Sequence, residues 1–219
     1  MTASRQAAIQ EKTLSTLSPA LRSLAQRGTL RSYAKNTIIV SEGDTGDTLF
    51  VLTKGHVRVF ASDLDGREIT FGHIHAGDYF GEMSLDGGPR SASVVTLESC
   101  TCAVVTRAAV RDHLDQEPGF AMDLVAQVIR RARNATESAR SMALMDVYGR
   151  VSALLESYGG PGSPEQPVEI TAITHQDIAS RVGASREMVS RLLKDLEKGG
   201  YIQLGIKRLT LLSKLPANW

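Results

Sequence analysis

The sequence predicts an α+β chain: an antiparallel β domain, then a long helix, then a small helical domain that ends in a hairpin. Three observations lead to this prediction. Short β-prone runs separated by glycine turns fill the first half of the 219 residues. Helical periodicity begins after Thr106, and a Gly/Pro-rich break at 159–164 comes before two short helices and a hairpin. Many short strands indicate an antiparallel sandwich or barrel.

The β domain is predicted to span residues 1–118 and to begin with helical segments. Four leucines recur at helical spacing between Lys12 and Arg27, with a break at Ser18 or Pro19. The β-prone runs that follow are Thr37–Val40, Thr48–Leu52, His56–Ala61, Glu68–Ile74, Ala92–Thr96 and Thr101–Thr106.

A short helix at Ala108–Leu114 and a long helix over 119–158 are predicted next. Apolar residues in the long helix follow the 4,3 spacing of a heptad seam, which favours a homodimer; the alternative is a helix packed on its own sheet. The seam residues are Ala121, Val125, Val128, Ala132, Ala135, Ala139 and Met142. The basic run Arg130, Arg131 and Arg133 is interpreted as a solvated face.

Composition limits the classes of protein. Hydrophobic residues make up 42% and charged residues 22% of the chain, as in a globular protein. No stretch of about eighteen apolar residues and no signal-like start is present, so we predict a cytoplasmic protein with no membrane partner. The only cysteines, Cys100 and Cys102, are too few for a structural metal site, and the histidines do not cluster near them, so no metal is expected.

The C-terminal domain is predicted over 159–219, and it carries the positive charge of the chain. The net charge is +1 overall, but residues 171–219 contain eight Lys/Arg against four Asp/Glu. Thr174 with Asp177 forms a capping-box pattern at the start of one helix, and Ser185 caps a second helix after a turn of three residues. Two short helices joined by a glycine turn indicate a helix-turn-helix.

The polar face of the second helix suits the DNA major groove. Arginine can bond guanine in a bidentate manner, and glutamate can accept from the cytosine amino group. Phosphate contacts are predicted for lysine on this helix and for Lys207 and Arg208 on the hairpin, which acts as a wing. The predicted DNA-binding residues are Thr174, Ser185, Arg186, Glu187, Ser190, Arg191, Lys194, Lys207 and Arg208.

The stretch ITHQDIASRVGASREMVSRLLKDLE, at 173–197, resembles the DNA-binding motif of the cyclic AMP receptor protein family. In that family two arginines and a glutamate of the recognition helix contact bases, and Arg186, Glu187 and Arg191 occupy the matching positions. The resemblance implies a two-fold dimer on palindromic, TGTGA-like duplex DNA, and a contact with RNA polymerase.

In the front domain, the segment FGEMSLDGGPRSA at 80–92 suits a cyclic phosphate. Gly81 permits close backbone approach, Arg90 supplies a forked cation for phosphate, and Glu82 can accept from a ribose hydroxyl. The run is similar to the phosphate-binding cassette of cyclic-nucleotide-binding domains, and this resemblance implies an antiparallel, jelly-roll-like β-roll for the front domain. The predicted ligand residues are Gly81, Glu82, Met83, Ser84, Arg90, Ser91, Ala92 and Thr136.

The identity of the nucleotide is left open by one departure from the family pattern. Members that bind cyclic AMP place Thr-Ser on the long helix, where this chain has Ala135 and Thr136. Cyclic AMP is the first expectation, with cyclic GMP, a cyclic dinucleotide or a constitutive regulator as alternatives. Two cysteines are too few for an iron–sulfur cluster, although histidines alone leave haem ligation as a minor alternative. Glu82 has no accompanying nucleophile–base pair, so no enzyme is predicted.

Overall fold

A computed structural model describes residues 13–15 and 17–217. Within these residues the chain forms two compact units. The first contains the residues up to 61 together with 70–131, and the second contains 62–69 together with the residues from 132 onward.

The first unit contains two antiparallel four-stranded sheets, which confirms the predicted fold class for this part of the chain. The strands are β1 (Thr29–Tyr33), β2 (Ile38–Val40), β3 (Thr48–Lys54), β4 (His56–Ser62), β5 (Glu68–His75), β6 (Tyr79–Phe80), β7 (Ser93–Thr96) and β8 (Cys100–Thr106). Their order is β1-β8-β3-β6 in one sheet and β2-β7-β4-β5 in the other. All six predicted β runs are found, whereas β1 and β6 were not predicted.

Strand β3 is buried on both faces because its side chains alternate between two apolar clusters. Leu49 and Val51 pack in a cluster with the helices of this unit, whereas Phe50 and Leu52 pack in the cluster between the strands. The phenyl rings of Phe50 and Phe80 stack with their centroids 5.0 Å apart. Buried β-branched and aromatic residues therefore hold the strands that precede and follow the 80–92 segment.

Helices α1 (Pro19–Gln26) and α2 (Arg107–Gln116) border the roll. The Ser18 hydroxyl accepts a hydrogen bond from the Leu21 amide at 3.4 Å, which confirms the predicted break before Pro19. The predicted start of this region at Lys12 lies outside the described residues. Among the residues described, no helix is both long and apolar enough to cross a membrane.

The prediction of one continuous helix from Gly119 to Tyr158 is wrong. The structure has two helices, α3 (Pro118–Leu144) and α4 (Val147–Glu156). Asp146 has extended backbone and its carboxylate accepts from the Gly149 amide at 2.7 Å, so it begins a new helix. The Arg150 guanidinium also donates to the Met145 carbonyl at 2.7 Å, which satisfies an acceptor at the break.

The second unit contains the predicted helix-turn-helix and hairpin. Its core joins α4 to the helices and strands that follow, around Val151, Ile178, Leu193 and Leu209. The elements are β9 (Val168–Thr171), α5 (His175–Val182), α6 (Arg186–Lys198), β10 (Ile202–Gly205) and β11 (Arg208–Leu211), of which only β9 was not predicted. The three strands form a third sheet with the antiparallel order β10-β11-β9.

Candidate functional site

The 80–92 segment of the first unit folds around a left-handed glycine. Gly81 has φ 87° and precedes a short 3₁₀ helix over Glu82–Asp86. A Cβ at Gly81 would lie 2.8 Å from Nη1 of Arg90 and 3.0 Å from the Thr48 carbonyl oxygen. Glycine is therefore required both by the backbone conformation and by the space that the arginine occupies.

Arg90 is the centre of this segment, with 7% of its surface exposed. Its Nη1 donates to Ser84 Oγ at 2.6 Å and to the Gly81 carbonyl at 3.0 Å. Its Nη2 donates to Thr48 Oγ1 at 3.0 Å, which connects the segment to β3. Burial lowers the pKa of Arg90, and the carboxylates of Asp47, Glu82 and Asp44 oppose this shift. Three carboxylates therefore favour the charged form of a buried cation.

Glu82 is the second buried charge, with 5% exposed. Its Oε1 forms an ion pair with Arg131 of α3. Its Oε2 is buried and, among the residues described, has no hydrogen-bond partner. A buried carboxylate oxygen without a donor costs free energy and can accept from a ligand hydroxyl.

The interpretation of Arg130, Arg131 and Arg133 as a solvated face is wrong for Arg131. Besides pairing with Glu82, its Nη2 donates to the Tyr79 carbonyl at 2.6 Å. One turn earlier on α3, Gln127 donates to both carboxylate oxygens of Asp78 at 3.1 Å. The i,i+4 spacing of Gln127 and Arg131 on one helix face was the available sequence signal, but it does not name their partners.

The other predicted ligand residues are less enclosed. Ser84 is buried and bonded as described, while Met83 is exposed and its sulfur lies 3.3 Å from Ser91 Oγ. Ser91 is exposed and Ala92 is partly buried. Thr136, in the second unit, is exposed and donates to the Ala132 carbonyl at 2.9 Å.

The second site is the helix-turn-helix. Thr174 and Asp177 form both halves of the predicted capping box: the Asp177 amide donates to Thr174 Oγ1 at 3.1 Å, and the Thr174 amide donates to Asp177 Oδ2 at 2.8 Å. Gly183 ends α5 with φ 63°, and the Ser185 hydroxyl accepts from the Met188 amide at 3.2 Å to begin α6. These caps fix the turn between the two helices.

The two faces of α6 differ as predicted. Val189, Leu193 and Leu196 are buried in the core. The exposed residues on the other side are Arg186, Glu187, Arg191 and Lys194. Ser190 differs from these because it is only partly exposed, and its hydroxyl lies 2.9 Å from Nδ1 of His175 on α5.

The wing carries the two predicted phosphate ligands. Lys207 lies at the tip of the hairpin with φ 53°, and both Lys207 and Arg208 are exposed. Arg208 Nη1 lies 3.5 Å from Glu169 Oε1 of β9, a contact that the sequence did not predict. A pocket of about 160 Å³ lies between the start of α5 and the wing, and it is lined by Thr174, His175, Lys207 and Arg208 as well as by apolar side chains.

Metal ligands are not assembled in this chain, as far as the structure describes it: no group of three or more His, Cys, Asp or Glu side chains could hold an ion. Both cysteines are buried and unbonded to each other. Burial raises the pKa of Cys102 to about 12, so this thiol remains protonated at neutral pH.

A β-roll with a buried Arg–Glu cluster, followed in the chain by a winged helix-turn-helix, defines a class of transcription regulator with a sensory domain. Two family descriptions match the chain: "Cyclic nucleotide-binding domain" at residues 30–117 and "Crp-like helix-turn-helix domain" at residues 149–214. The chain belongs to the cyclic AMP receptor protein family of transcription regulators.

Two relatives illustrate the similarity in sequence. The cAMP-activated global transcriptional regulator Vfr of Pseudomonas aeruginosa is 35% identical over 188 residues, covering 83% of this chain and 88% of Vfr. The cAMP-activated global transcriptional regulator CRP of Pasteurella multocida is 32% identical over 190 residues, covering 85% of this chain and 91% of that CRP.

The similarity extends to solved structures. The c-di-GMP responsive global regulator CLP of Xanthomonas campestris superposes with a TM-score of 0.78 at 25% identity, covering 89% of this chain and 99% of CLP. Related regulators of this fold are therefore described as responding to different cyclic nucleotides.

Proposed function

We propose that this chain is a homodimeric transcription regulator that binds cyclic AMP in the 80–92 segment and then binds palindromic, TGTGA-like DNA. The observation that carries the proposal is the burial of Glu82 and Arg90 in one segment, with Glu82 Oε2 lacking a donor among the described residues. A buried cation beside a buried carboxylate oxygen without a donor suits a ligand that offers both an anion and a hydroxyl, as a cyclic nucleotide does.

In this proposal each group has one role. Arg90 bonds the cyclic phosphate with support from the Ser91 hydroxyl and the amides of Ser91 and Ala92, and Glu82 accepts from the ribose hydroxyl. Gly81 has no side chain and therefore lets the backbone approach the anion closely. Met83 and Ser84 border the same segment, and Thr136 offers a hydroxyl to the base.

Cyclic AMP is favoured because the 32–35% identical relatives are named as cAMP-activated. Cyclic GMP and cyclic di-GMP are the competing ligands, since Ala135 replaces a hydroxyl of the family pattern and CLP is described as c-di-GMP responsive.

A constitutive regulator is the second candidate, and one observation favours it. Arg90 already donates to Ser84, Gly81 and Thr48, and Glu82 is already paired with Arg131. A ligand must exchange some of these contacts, and it can shift the protein only if it binds one state better than the other.

The DNA-reading proposal rests on the exposed face of α6. Arg186 and Arg191 would bond guanine edges and Glu187 a cytosine amino group, while Ser190 lies at the edge of the same face. Ser185, Lys194, Lys207 and Arg208 would bond phosphates, which set the register on the duplex. Thr174 would border this surface as the cap of α5, because its amide and hydroxyl both donate to Asp177.

Dimerisation is proposed through α3. Several large apolar side chains of this helix are exposed, including Val125 at 47%, Val128 at 44% and Met142 at 39%. These three belong to the predicted heptad seam, so a second copy of the helix would cover them. A two-fold dimer would present two recognition helices about one DNA turn apart, matching a palindrome.

Three further points complete the proposal. Because its partner is chromosomal DNA, the protein would act in the cytoplasm and would contact RNA polymerase there. We propose binding without catalysis, because among the described residues of the 80–92 segment no nucleophile is hydrogen-bonded to a base. The one Ser–His contact in the helix-turn-helix, between Ser190 and His175, lies on the surface that we assign to DNA.

The decisive experiment measures affinity for a palindrome of TGTGA half-sites at fixed salt, with cyclic AMP, cyclic GMP and cyclic di-GMP titrated separately. We expect cyclic AMP to tighten binding at least tenfold. Glu82→Gln, which keeps the side-chain shape, should remove most of this tightening, whereas the exposed control Glu117→Gln should retain it.

The other outcomes are equally specific. Tightening by cyclic di-GMP alone would keep the regulator but replace its ligand. Equal affinity without any nucleotide would establish the constitutive regulator. Binding that does not distinguish the palindrome from a scrambled duplex would contradict sequence-specific recognition.

A further inference from the structure

The recognition helix carries one hydrogen bond that its core packing does not explain. Ser190 on α6 lies on the flank of the DNA-reading face, and its Oγ is 2.9 Å from Nδ1 of His175, the first residue of α5. Both side chains are partly exposed. The pair therefore connects the two helices at the surface that the proposed function assigns to DNA.

His175 is surrounded mainly by cations. Arg186 and Lys194 of α6 act on it electrostatically, and Lys207 and Arg208 of the wing line the same pocket. On its own helix, the Asp177 carboxylate is engaged with the amide and hydroxyl of Thr174. From α4, Arg150 contacts the opposite end of α5, at the Val182 carbonyl. Burial, then Arg186 and Lys194, lower the pKa of His175, so the imidazole is neutral in free protein at pH 7.

A DNA backbone changes this balance. In a helix-turn-helix the first helix crosses the phosphate backbone, and a helix N-terminus attracts anions. A phosphate at the start of α5 would offset the surrounding positive charge and favour a proton on the ring. With Nδ1 facing Ser190, the other ring nitrogen, Nε2, is available to donate to that phosphate.

The proton also changes what Ser190 offers to DNA. When the His175 ring is neutral and accepts at Nδ1, the Ser190 hydroxyl donates its only hydrogen to the ring. When the ring is an imidazolium, Nδ1–H donates to Ser190 Oγ, and the hydroxyl hydrogen is released. Ser190 can then donate to a base acceptor or a phosphate oxygen.

We propose that His175 is a positioning residue of the DNA interface, which takes up a proton when DNA binds and thereby turns Ser190 into a hydrogen-bond donor to the DNA. This inference rests on the proposed function, because it concerns the same DNA-binding site. It adds a proton as a co-ligand of the complex.

The test is affinity for the palindrome between pH 5.5 and 8, with cyclic AMP present and folding checked by circular dichroism at each pH. Uptake of one proton tightens binding by up to about tenfold per pH unit in the window where only the complex is protonated. We expect tightening in the wild type as the pH falls below about 7, and a flat profile in His175→Asn, whose amide can still reach Ser190. The exposed His75→Asn is the matched control and should keep the wild-type profile.

Two further measurements distinguish proton uptake from a merely structural role. The slope of log affinity against log salt should steepen by about 0.9 at pH 5.5 relative to pH 8 in the wild type but not in His175→Asn, since the imidazolium adds one positive charge at a phosphate. The effects of His175→Asn and Ser190→Ala on DNA affinity should deviate from additivity more strongly at pH 5.5 than at pH 8.

The possible failures are separable. A wild-type pH profile in His175→Asn would overturn the inference, as would DNA binding by the wild type that does not depend on pH; the proposed function would stand in both cases. Absence of palindrome binding at every pH would overturn the proposed function and this inference together.

Discussion

The two units of this regulator use charged side chains in opposite ways. In the roll, Glu82 and Arg90 are nearly fully buried and are bonded to residues of three different segments. On α6, Arg186, Glu187 and Arg191 are exposed and are spaced along one face. A buried charge contributes to the fold as well as to the ligand site, whereas an exposed charge is available to a partner. Substitutions in the two units should therefore affect different measurements.

The largest effect is expected from Arg90→Met. Ser84 Oγ, Thr48 Oγ1 and the Gly81 carbonyl would lose their donor inside the protein, which should lower the free energy of unfolding by about 3 kcal/mol. The measurement is the urea midpoint at constant m-value. Arg111→Met, at an exposed position on α2, should change stability by less than about 0.5 kcal/mol. Equal urea midpoints for the two variants would contradict the claim that the buried Arg90 stabilises the fold.

A smaller effect, on a different quantity, is expected from Arg191→Ala. Loss of one bidentate base contact should reduce discrimination between the palindrome and a half-site with one altered base pair by about 2 kcal/mol. The urea midpoint should stay at the wild-type value because the side chain is exposed. Lys198→Ala, at the C-terminal end of the same helix, should leave discrimination intact. A stability loss in Arg191→Ala without a change in discrimination would contradict the assignment of α6 as the reading helix.

The smallest effect concerns pH and compares two histidines. His113 is fully buried in the roll, and neither ring nitrogen has a hydrogen-bond partner among the described residues. Burial, and then the nearby charge of Arg27, lower its pKa below the ordinary value of 6.5. Below about pH 6.5 the unfolded chain binds a proton that the folded chain does not, so stability present above this pH is lost by up to about 1.4 kcal/mol per pH unit.

Urea unfolding at pH 7.5 and 5.5 measures this loss, and His113→Leu should reduce the difference between the two values. His175→Asn should change this difference in stability less than His113→Leu does, because the His175 imidazole is partly exposed. His175 is predicted to affect DNA affinity instead. An unchanged pH dependence in His113→Leu would assign the acid sensitivity to other groups.

Features set by neighbouring residues were predictable from the sequence. The capping box of Thr174 and Asp177, the turn ending at Ser185, and the six β runs of the roll all depend on spacings of a few residues. The start of α4 was predictable in principle, because Asp146 is a favoured N-cap residue, but the helical spacing of the apolar residues on both sides suggested one continuous helix. The assignments of individual residues to ligand and DNA remain predictions.

By itself, the sequence determined the order of elements, the apolar faces and the segment in which Glu82 and Arg90 occur. Only the tertiary structure decided that Arg131 pairs with Glu82, that Thr48 accepts from Arg90 across 42 positions of sequence, and that His175 meets Ser190. The reason is physical: backbone periodicity depends on adjacent residues, whereas the partner of a buried charge depends on strand register and helix packing, which bring together residues far apart in the chain.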